Sequence, residues 1–295
     1  MEIKEYIATK RPTLGKSSVA TYASILKSLH LKVFGEGKIE WEHFNDSAKI
    51  LEALKDTPPN KRKTILSALV VITDLSAYRE AMMEDVHTYD KEIATQLATD
   101  TQKENWVSTD KIKDICADLK KHSDMLFKKK TPHTPAELQQ IQNYIIVALC
   151  SGIFIKPRRS KDYCDFKIKN VQENKDNYLT KTEMVFNSYK TMKTYGTQKV
   201  ELPKPLKLLL TKWIKINPTD YLLFDSNMNP LTPVKLNQRF NKIFDGKVSV
   251  NNFRHTFATD KWAGHNEKQK ELIQDAKDMG TSPNMLLNTY VKVDV

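Results

Sequence analysis

Cysteine is scarce in this sequence of 295 residues, and long apolar segments are absent. The three cysteines, Cys116, Cys150 and Cys164, are odd in number, and their spacing fits neither a zinc site nor a disulfide framework. The first ten residues contain no apolar core of a signal peptide, and the longest apolar stretch, around residues 144–155, is too short to span a bilayer. These absences predict a soluble, intracellular protein that is not secreted, has no membrane partner and carries its cysteines as buried thiols.

Charge is distributed unevenly along the chain. Residues 1–100 contain 14 Lys and Arg against 15 Asp and Glu, a net charge of −1. Residues 101–295 contain 33 Lys and Arg against 21 Asp and Glu, a net charge of +12. This excess favours a polyanionic partner for the C-terminal two thirds, although a solvated basic surface is equally compatible with the charge alone.

The first hundred residues show helical periodicity. Apolar residues recur at spacings of three and four, as in Val19, Tyr22, Ile25 and Leu29. The pattern predicts helices over residues 17–34, 47–54, 61–80 and 82–97. Residues 98–108 are polar and aperiodic, so we interpret them as a linker between a helical domain at 1–97 and a second domain at 109–295.

The second domain begins with helices and then changes period. Ser108 is a predicted cap for a helix over 110–126, and Thr134 followed by Pro135 predicts the start of a helix over 135–151. Between residues 165 and 202, the segments FKIKNV, YLT, EMVFNSY and QKVELP read as short strands. Helices are predicted again over 205–216, 232–244, 252–263 and 267–278, with a short one after Ser282. The fold class is therefore mainly α with a small antiparallel β-sheet.

Three segments carry residues suited to phosphate chemistry. The first is Lys156-Pro-Arg-Arg-Ser-Lys-Asp-Tyr163, which follows the apolar helix. The second is Asn251-Asn-Phe-Arg-His-Thr-Phe-Ala-Thr259, and the third is Asp278-Met-Gly-Thr-Ser-Pro283, followed by Tyr290. Each segment alone also has an ordinary structural explanation. The first is compatible with a surface pair of arginines after a helix end, the second with an amphipathic helix, and the third with a terminal tyrosine that packs against the protein.

The order of these segments resembles the catalytic domain of the tyrosine recombinases. The family has the same series of features along its chain. They are an arginine at the start of a helical domain, a lysine in a hairpin, Arg-His-Thr-Phe-Ala-Thr, then Met-Gly-Thr-Ser and a tyrosine. The resemblance covers residues 106–295, while residues 1–97 resemble the family's core-binding domain by position and helical content. Two segments are most similar in sequence to integrases of large DNA viruses, virophages and related mobile elements. They are Pro-Arg-Arg-Ser-Lys-Asp-Tyr and Tyr-Lys-Thr-Met-Lys-Thr-Tyr-Gly-Thr-Gln.

The resemblance assigns catalytic roles residue by residue. Seven positions match the family's pattern: Arg159, Asp162, Lys190, Asn251, Arg254, Thr281 and Tyr290. Arg158 is the alternative to Arg159, and Lys193 is the alternative to Lys190. Asn251 and Thr281 stand where the family usually has a histidine and a histidine or tryptophan. For His255 we expect a packed scaffold residue, and for His265 a loop position.

These assignments imply a metal-independent reaction with no cofactor. A tyrosine would attack a DNA phosphodiester and form a covalent 3′-phosphotyrosine, while two guanidinium groups stabilise the charge on the non-bridging oxygens. A tyrosine hydroxyl is a weak nucleophile at its unperturbed pKa of about 10, so it needs such a cationic pocket. A hairpin lysine would protonate the 5′-oxygen that leaves.

The resemblance also implies binding partners, and alternative functions remain open. The expected partner is double-stranded DNA, held in a clamp of two domains, with a homo-oligomer on DNA that becomes a tetramer in synapsis. The expected compartment is the one that contains the DNA, the host cytoplasm or nucleus if the chain is viral. The alternatives are a type IB topoisomerase-like activity and, because Asn251 is not an acid or base, a catalytically weakened DNA-binding relic.

Overall fold

The computed structural model describes residues 2–292, with the exception of the side chain at position 266. The chain divides into two compact units, Met1–Ala98 and Thr99–Val295. The described residues form helices and one three-stranded antiparallel sheet, which confirms the predicted fold class, mainly α with a small antiparallel sheet. No helix in the described part of the chain is both long and apolar enough to cross a membrane.

From residue 2 onward, the first unit contains helices and no strand. A short 3₁₀ turn, Trp41–Asn45, lies between the second and third of them. The five helices are α1 (Ile3–Lys10), α2 (Lys16–Phe34), α3 (Ser47–Ala53), α4 (Pro59–Thr73) and α5 (Ser76–Ala94). The first of these, α1, was not predicted, because its only buried residues are Ile3 and Ile7 and so short a segment shows little periodicity.

The predicted helices over 61–80 and 82–97 are wrong in their boundaries. The chain breaks at Asp74, which adopts φ +56° and donates its backbone N–H to the carbonyl of Val70 over 3.0 Å. Aspartate tolerates this left-handed conformation better than most residues. The apolar spacing continues through Leu69, Ile72 and Leu75, so periodicity alone did not reveal the break.

A buried ion pair joins α4 to α5. Arg62 Nε donates to Asp85 Oδ2 over 2.8 Å, and Arg62 Nη2 donates to Asp85 Oδ1 over 2.7 Å. The Asp85 side chain is only 2% exposed, so its charge depends on this partner.

The second unit begins within the predicted linker. Thr99 caps a short helix there with a reciprocal pair of hydrogen bonds to Gln102. The helices that follow alternate with the sheet as α6 (Asp100–Glu104), α7 (Thr109–Phe127), α8 (Pro135–Cys150), α9 (Ser160–Tyr163), β1 (Tyr178–Leu179), β2 (Glu183–Phe186), α10 (Met192–Tyr195), β3 (Gln198–Glu201), α11 (Lys204–Ile216), α12 (Pro233–Phe244), α13 (Val250–Trp262), α14 (Asn266–Asp278) and α15 (Pro283–Met285). A π-helical turn, Leu286–Tyr290, ends the described helices.

Helix α8 forms the centre of the second unit. Thr134 caps it as predicted, since its side chain accepts a hydrogen bond from Glu137 N. Every residue of α8 from Tyr144 to Cys150 is buried, so this helix contacts neighbours on all sides. Ser108 likewise caps α7, and the three cysteines are free and buried.

The sheet has the strand order β1-β2-β3, with Met184 opposite Leu179 and Val200. The predicted strand FKIKNV is wrong, because Lys167 alone in this segment forms isolated bridges, to Tyr178 and Tyr221. Asp165, directly before the segment, has φ +62°, and Asn170, its fifth residue, has φ +49°. The left-handed conformation of Asn170 interrupts the extended backbone that a strand over all six residues would need.

We expect Arg62→Gln to lower the free energy of unfolding by about 3–5 kcal/mol, because it leaves a buried carboxylate without its partner. Arg79→Gln is the matched control, since Arg79 pairs with Asp74 while both side chains are more than half exposed. The control should change the free energy by less than about 1 kcal/mol. Urea unfolding of both variants measures the difference, and equal effects would contradict the role of the pair.

Candidate active site

The arginine-bearing segment forms a tight turn between α8 and α9. The Tyr163 ring is fully buried, and its hydroxyl donates to the carbonyl of Leu149 over 2.9 Å. Asn177 Nδ2 donates to the carbonyl of Asp162 over 3.0 Å, which attaches the same short helix to the segment before β1. The turn is thus held from two sides.

Arg158 is committed to protein partners. Its Nε donates to Asp162 Oδ2 over 3.0 Å, and its Nη1 donates to Gln198 Oε1 over 2.6 Å. Its guanidinium carbon lies 4.0 Å from the ring centroid of Phe186 and 5.0 Å from that of Tyr189. The side chain is 16% exposed, and its hydrogen bonds connect the turn to the sheet.

Arg159 differs from its neighbour. It is partly buried, and its guanidinium forms no hydrogen bond or ion pair with any residue that the structure describes. Its carbonyl accepts a hydrogen bond from Asp162 N over 2.9 Å, which fixes the backbone beneath the side chain. Of the two arginines, Arg159 is therefore the one whose donors remain available to an anionic ligand.

Asp162 is almost fully buried beneath Arg158. Burial raises the pKa of the Asp162 carboxyl above its ordinary value, and the Arg158 guanidinium opposes that shift by a smaller amount. The ionised form of Asp162 is therefore tolerated because Arg158 lies against it.

Lys190 lies in the connection between β2 and β3 and is exposed. The connection is closed by its own hydrogen bonds, since the Tyr189 hydroxyl donates to the carbonyl of Gly196 over 2.6 Å. Because Tyr189 also contacts the Arg158 guanidinium, the structure brings the connection and the arginine turn together. The alternative, Lys193, is exposed on α10 of the same connection.

Helix α13 is attached firmly along one face. Thr256 Oγ1 donates to the carbonyl of Val107 over 2.7 Å, and Asn252 Nδ2 donates to the carbonyl of Asn105 over 2.9 Å. Phe253 is fully buried between these two positions. The opposite face of α13, which carries Asn251, Arg254 and His255, is therefore directed away from this attachment.

Two predicted site residues meet on that outward face. Arg254 is partly buried, and its Nη1 donates to Asn251 Oδ1 over 3.4 Å, a long hydrogen bond. No other hydrogen bond or ion pair of the Arg254 guanidinium occurs within residues 2–292. His255 is exposed, so the expectation that it is a packed scaffold residue is wrong.

A glycine sets the distance between α13 and the loop before the arginine turn. Gly152 has φ +92°, and a Cβ added there would lie 2.9 Å from Phe257 Cδ2. The absence of a side chain therefore lets the loop after α8 approach the helix that carries Arg254. This contact relates the two arginine-bearing segments to each other.

Tyr290 is not brought to these cations by any described contact. The residue is 61% exposed at the end of the π-helical turn, and no hydrogen bond, ion pair or aromatic contact joins it to Arg159, Lys190 or Arg254 in the described part of the chain. Thr281 lies in the turn before α15, where its N–H donates to the carbonyl of Ala276 over 2.8 Å. His265 is exposed beside Trp262.

Residue-by-residue reasoning missed the residues that assemble the turn. Gln198 accepts from Arg158, and Asn177 Oδ1 accepts from the N–H groups of Asn187 and Ser188. Gln198 ends the hairpin segment quoted above but was assigned no role, Asn177 lies outside every quoted segment, and each acts through a contact that only the folded chain creates. The one available signal was Gly152, a single glycine directly after an apolar helix.

Comparisons with known proteins bear on the fold only. No family model and no curated protein matches the chain. Among solved structures, it is similar to "XerA recombinase" at 14% identity and a TM-score of 0.34, covering 88% of this chain and 82% of that chain. A lambda integrase dimer bound to a COC′ core site gives 14% identity and a TM-score of 0.45, covering 89% of this chain and 71% of that chain. XerH site-specific recombinase bound to difH substrate gives 15% identity and a TM-score of 0.41, covering 96% of this chain and 90% of that chain. At such low scores the likeness assigns no activity and no residue role.

We expect Arg158→Gln to lower the free energy of unfolding by about 3–5 kcal/mol at neutral pH, since it strands the buried carboxylate of Asp162. Arg159→Gln, one position away, should change it by less than about 1 kcal/mol, because its guanidinium forms no described pair. Chemical unfolding of both variants compares them directly. Similar losses would show that Arg159 also has a structural role.

The cost of Arg158→Gln should depend on pH in a defined direction. Without Arg158, the pKa of Asp162 in the folded state rises further above its already raised value in the wild type. The two unfolded chains titrate alike, so the penalty is complete above the folded-state pKa of the variant and shrinks as the pH falls from there to the folded-state pKa of the wild type. Unfolding measured between neutral and acidic pH should therefore show the variant converging on the wild type.

Gly152→Ala should destabilise the protein by about 1–3 kcal/mol, because alanine is strained at positive φ and its Cβ would press on Phe257. Gly264→Ala is the control, since nothing lies within 4 Å of its added Cβ and its φ is not in the left-handed region. Thermal unfolding measures both. Equal midpoints for the two variants would contradict the close approach.

Proposed function

We propose that this chain is a site-specific DNA recombinase or integrase of the tyrosine recombinase type. It would break double-stranded DNA with Tyr290 as the nucleophile and rejoin it through a covalent 3′-phosphotyrosine. The observation that carries the proposal is the pair of contacts between segments far apart in sequence. Arg158 joins the arginine turn to the β2–β3 connection, and Gly152 joins the loop before that turn to α13.

Arg159 and Arg254 would bind the scissile phosphate. Both guanidinium groups have donors that no described residue fully occupies, and each offers planar, paired N–H groups that match phosphate oxygens. Charge builds up on the non-bridging oxygens as the phosphorus becomes pentacoordinate. Fixed donors aimed at those oxygens stabilise that state without reorganisation of water.

Lys190 would protonate the departing 5′-oxygen. Lys190 is exposed on a connection that contacts Arg158 through Tyr189, and Arg158 is the neighbour of Arg159 in the chain. Lys193 on the same connection is the alternative donor. The bond energy is conserved in the phosphotyrosine, so resealing by a 5′-hydroxyl requires no nucleotide cofactor.

The remaining assigned residues would have supporting roles. Asn251 would orient Arg254 through its side-chain oxygen and donate its amide N–H groups to phosphate. Thr281 would supply a further hydroxyl donor. Asp162 would hold Arg158, and through it the whole turn, in place.

Tyr290 would supply the nucleophile. Its hydroxyl must reach a phosphate bound by Arg159 and Arg254, within this chain or from a second copy in an oligomer on DNA. The exposure of Tyr290 and its position in the last described turn are compatible with either route. The positive charge of residues 101–295 fits a DNA partner, and binding should weaken steeply with salt.

The remaining features of the proposal concern its biology. The domain at 1–97 would bind DNA, and the domain at 109–295 would carry the active site. Recombination would use a tetramer in synapsis. The wording of the arginine and hairpin segments supports an origin in a large DNA virus or related mobile element, with the reaction in the host compartment that holds the DNA.

A second candidate is a DNA-binding protein that no longer cleaves. Asn251 in place of an acid–base residue favours it, as does the lack of any described contact between Tyr290 and the arginines. A type IB topoisomerase-like activity would use the same chemistry but relax supercoiled plasmid without a cognate site. Trapping of covalent complexes separates these possibilities.

We expect the full chain to form a covalent complex with duplex DNA that carries its recombination site and a nick placed to prevent religation. Denaturing electrophoresis detects the complex, and Tyr290→Phe should abolish it because no nucleophile remains. Arg159→Gln and Arg254→Gln should each reduce its rate of formation by about a hundredfold or more.

Tyr195→Phe is the matched control, since Tyr195 is 66% exposed, close to the value for Tyr290. This control should retain the complex. Salt-sensitive DNA binding without any covalent complex, from a pool that contains the recovered site, would favour the non-catalytic candidate. Relaxation of plasmids that lack the site would favour the topoisomerase-like activity.

A further inference from the structure

A cavity of about 650 Å³ opens between α8, the turn after residue 224 and α12, and none of the residues assigned to catalysis lines it. Most of the residues that line it have polar side chains, including Gln139 and Asn143 from α8 and Asp225 from the turn. Helix α12 contributes three cations, Lys235, Arg239 and Lys242, at helical spacings of four and three. Residues at such spacings share one side of a helix.

Arg239 is the unusual member of this group. Its Nη1 is fully buried, and the guanidinium forms no hydrogen bond or ion pair with any residue from 2 to 292 that the structure describes. Burial lowers the pKa of Arg239 to about 10, so the group remains charged at neutral pH. Arg239 as a whole is partly buried and lines the cavity, so a ligand there could accept hydrogen bonds from the donors that the protein leaves unoccupied.

The nearest carboxylate does not satisfy Arg239. Asp225 Oδ2 accepts from Lys235 Nζ over 2.5 Å, and Asp225 Oδ1 accepts from the N–H groups of Asn227 and Asn229 over 2.8 and 3.1 Å. Lys235 and Asp225 therefore neutralise each other. Within the described residues, Arg239 and Lys242 have no ion-pair partner, so the cavity keeps two positive charges in excess.

We propose that this cavity binds the terminal phosphate of a small ligand, with Arg239 as its anchor. A terminal phosphate carries close to two negative charges at neutral pH, which match the two unpaired cations, whereas a carboxylate or a DNA phosphodiester carries one. The planar guanidinium can donate two parallel hydrogen bonds to its oxygens. The side-chain amides of Gln139 and Asn143 can donate to the oxygens that remain.

The volume supports a discrete ligand. A cavity of this size is typical of small-molecule sites, and its polar groups converge from two helices and a turn. None of Arg159, Lys190, Arg254 or Tyr290 lines it. The proposal is therefore independent of recombinase activity, and the two can fail separately.

Calorimetric titration of the full chain with pyrophosphate, at fixed ionic strength, tests the site. We expect saturable binding that Arg239→Gln weakens by about tenfold or more, since a charge-assisted pair of hydrogen bonds is lost. Arg79→Gln removes the same charge from an exposed arginine of the first unit and should leave the affinity unchanged. Lys242→Gln, on the exposed rim, should weaken binding by a smaller factor and is not expected to disturb folding.

Stability measurements separate a ligand site from a structural role. Without pyrophosphate, Arg239→Gln should unfold at the same temperature as the wild type or higher, because a desolvated charge is removed. A lower unfolding temperature without any loss of pyrophosphate affinity would overturn the proposal. So would a lack of saturable binding, or equal weakening by Arg239→Gln and Arg79→Gln.

A competition experiment distinguishes the source of the phosphate. A short duplex without terminal phosphates is added to the complex with pyrophosphate, and duplex binding is also measured for Arg239→Gln. No displacement, with unchanged duplex binding by the variant, supports a terminal phosphate. Displacement by the duplex, with loss of duplex binding in the variant, would assign the cavity to the DNA backbone and overturn the proposal.

Discussion

The ion pair between Arg158 and Asp162 is the interaction on which the candidate site depends. Both side chains are largely buried, and the pair is completed by Gln198 from β3 and by the faces of Phe186 and Tyr189. A buried carboxylate requires a partner, and this partner also reaches the sheet. The same contact therefore shapes the turn, positions the β2–β3 connection and leaves the adjacent Arg159 free of described protein partners.

Two neighbouring arginines thus differ in how far the protein itself occupies their hydrogen-bond donors. A guanidinium has five donors, and Arg158 directs its donors to fixed acceptors within the protein. Arg159 and Arg254 keep most of their donors unoccupied, and Arg239 does so in a separate cavity. Such groups contribute little to folding stability, and burial of Arg239 opposes it, so an anionic ligand, as proposed above, would supply the acceptors that the protein lacks.

Local signals in the sequence predicted much of the second unit. Ser108 and Thr134 cap α7 and α8 as expected, because an N-cap acts on the backbone only three residues away. Predictions failed where a backbone choice overrode the pattern. Asp74 ends α4 within a continuous apolar series, and turns at Asp165 and Asn170 prevent FKIKNV from forming a strand. These left-handed residues are not glycines, so composition gave no warning.

The sequence by itself determined the fold class, the caps and the candidate set of cations with Tyr290, since periodicity, capping and motif order are local properties of the chain. Only the tertiary structure decided that Arg158 is paired with Asp162 while the donors of Arg159 are unoccupied by described residues. It also decided that Phe257 packs against Gly152 and that Arg239 Nη1 is buried without an acceptor among the described residues. Such outcomes depend on partners contributed by distant segments. Whether a charged group is satisfied is therefore a property of packing, which linear spacing does not encode.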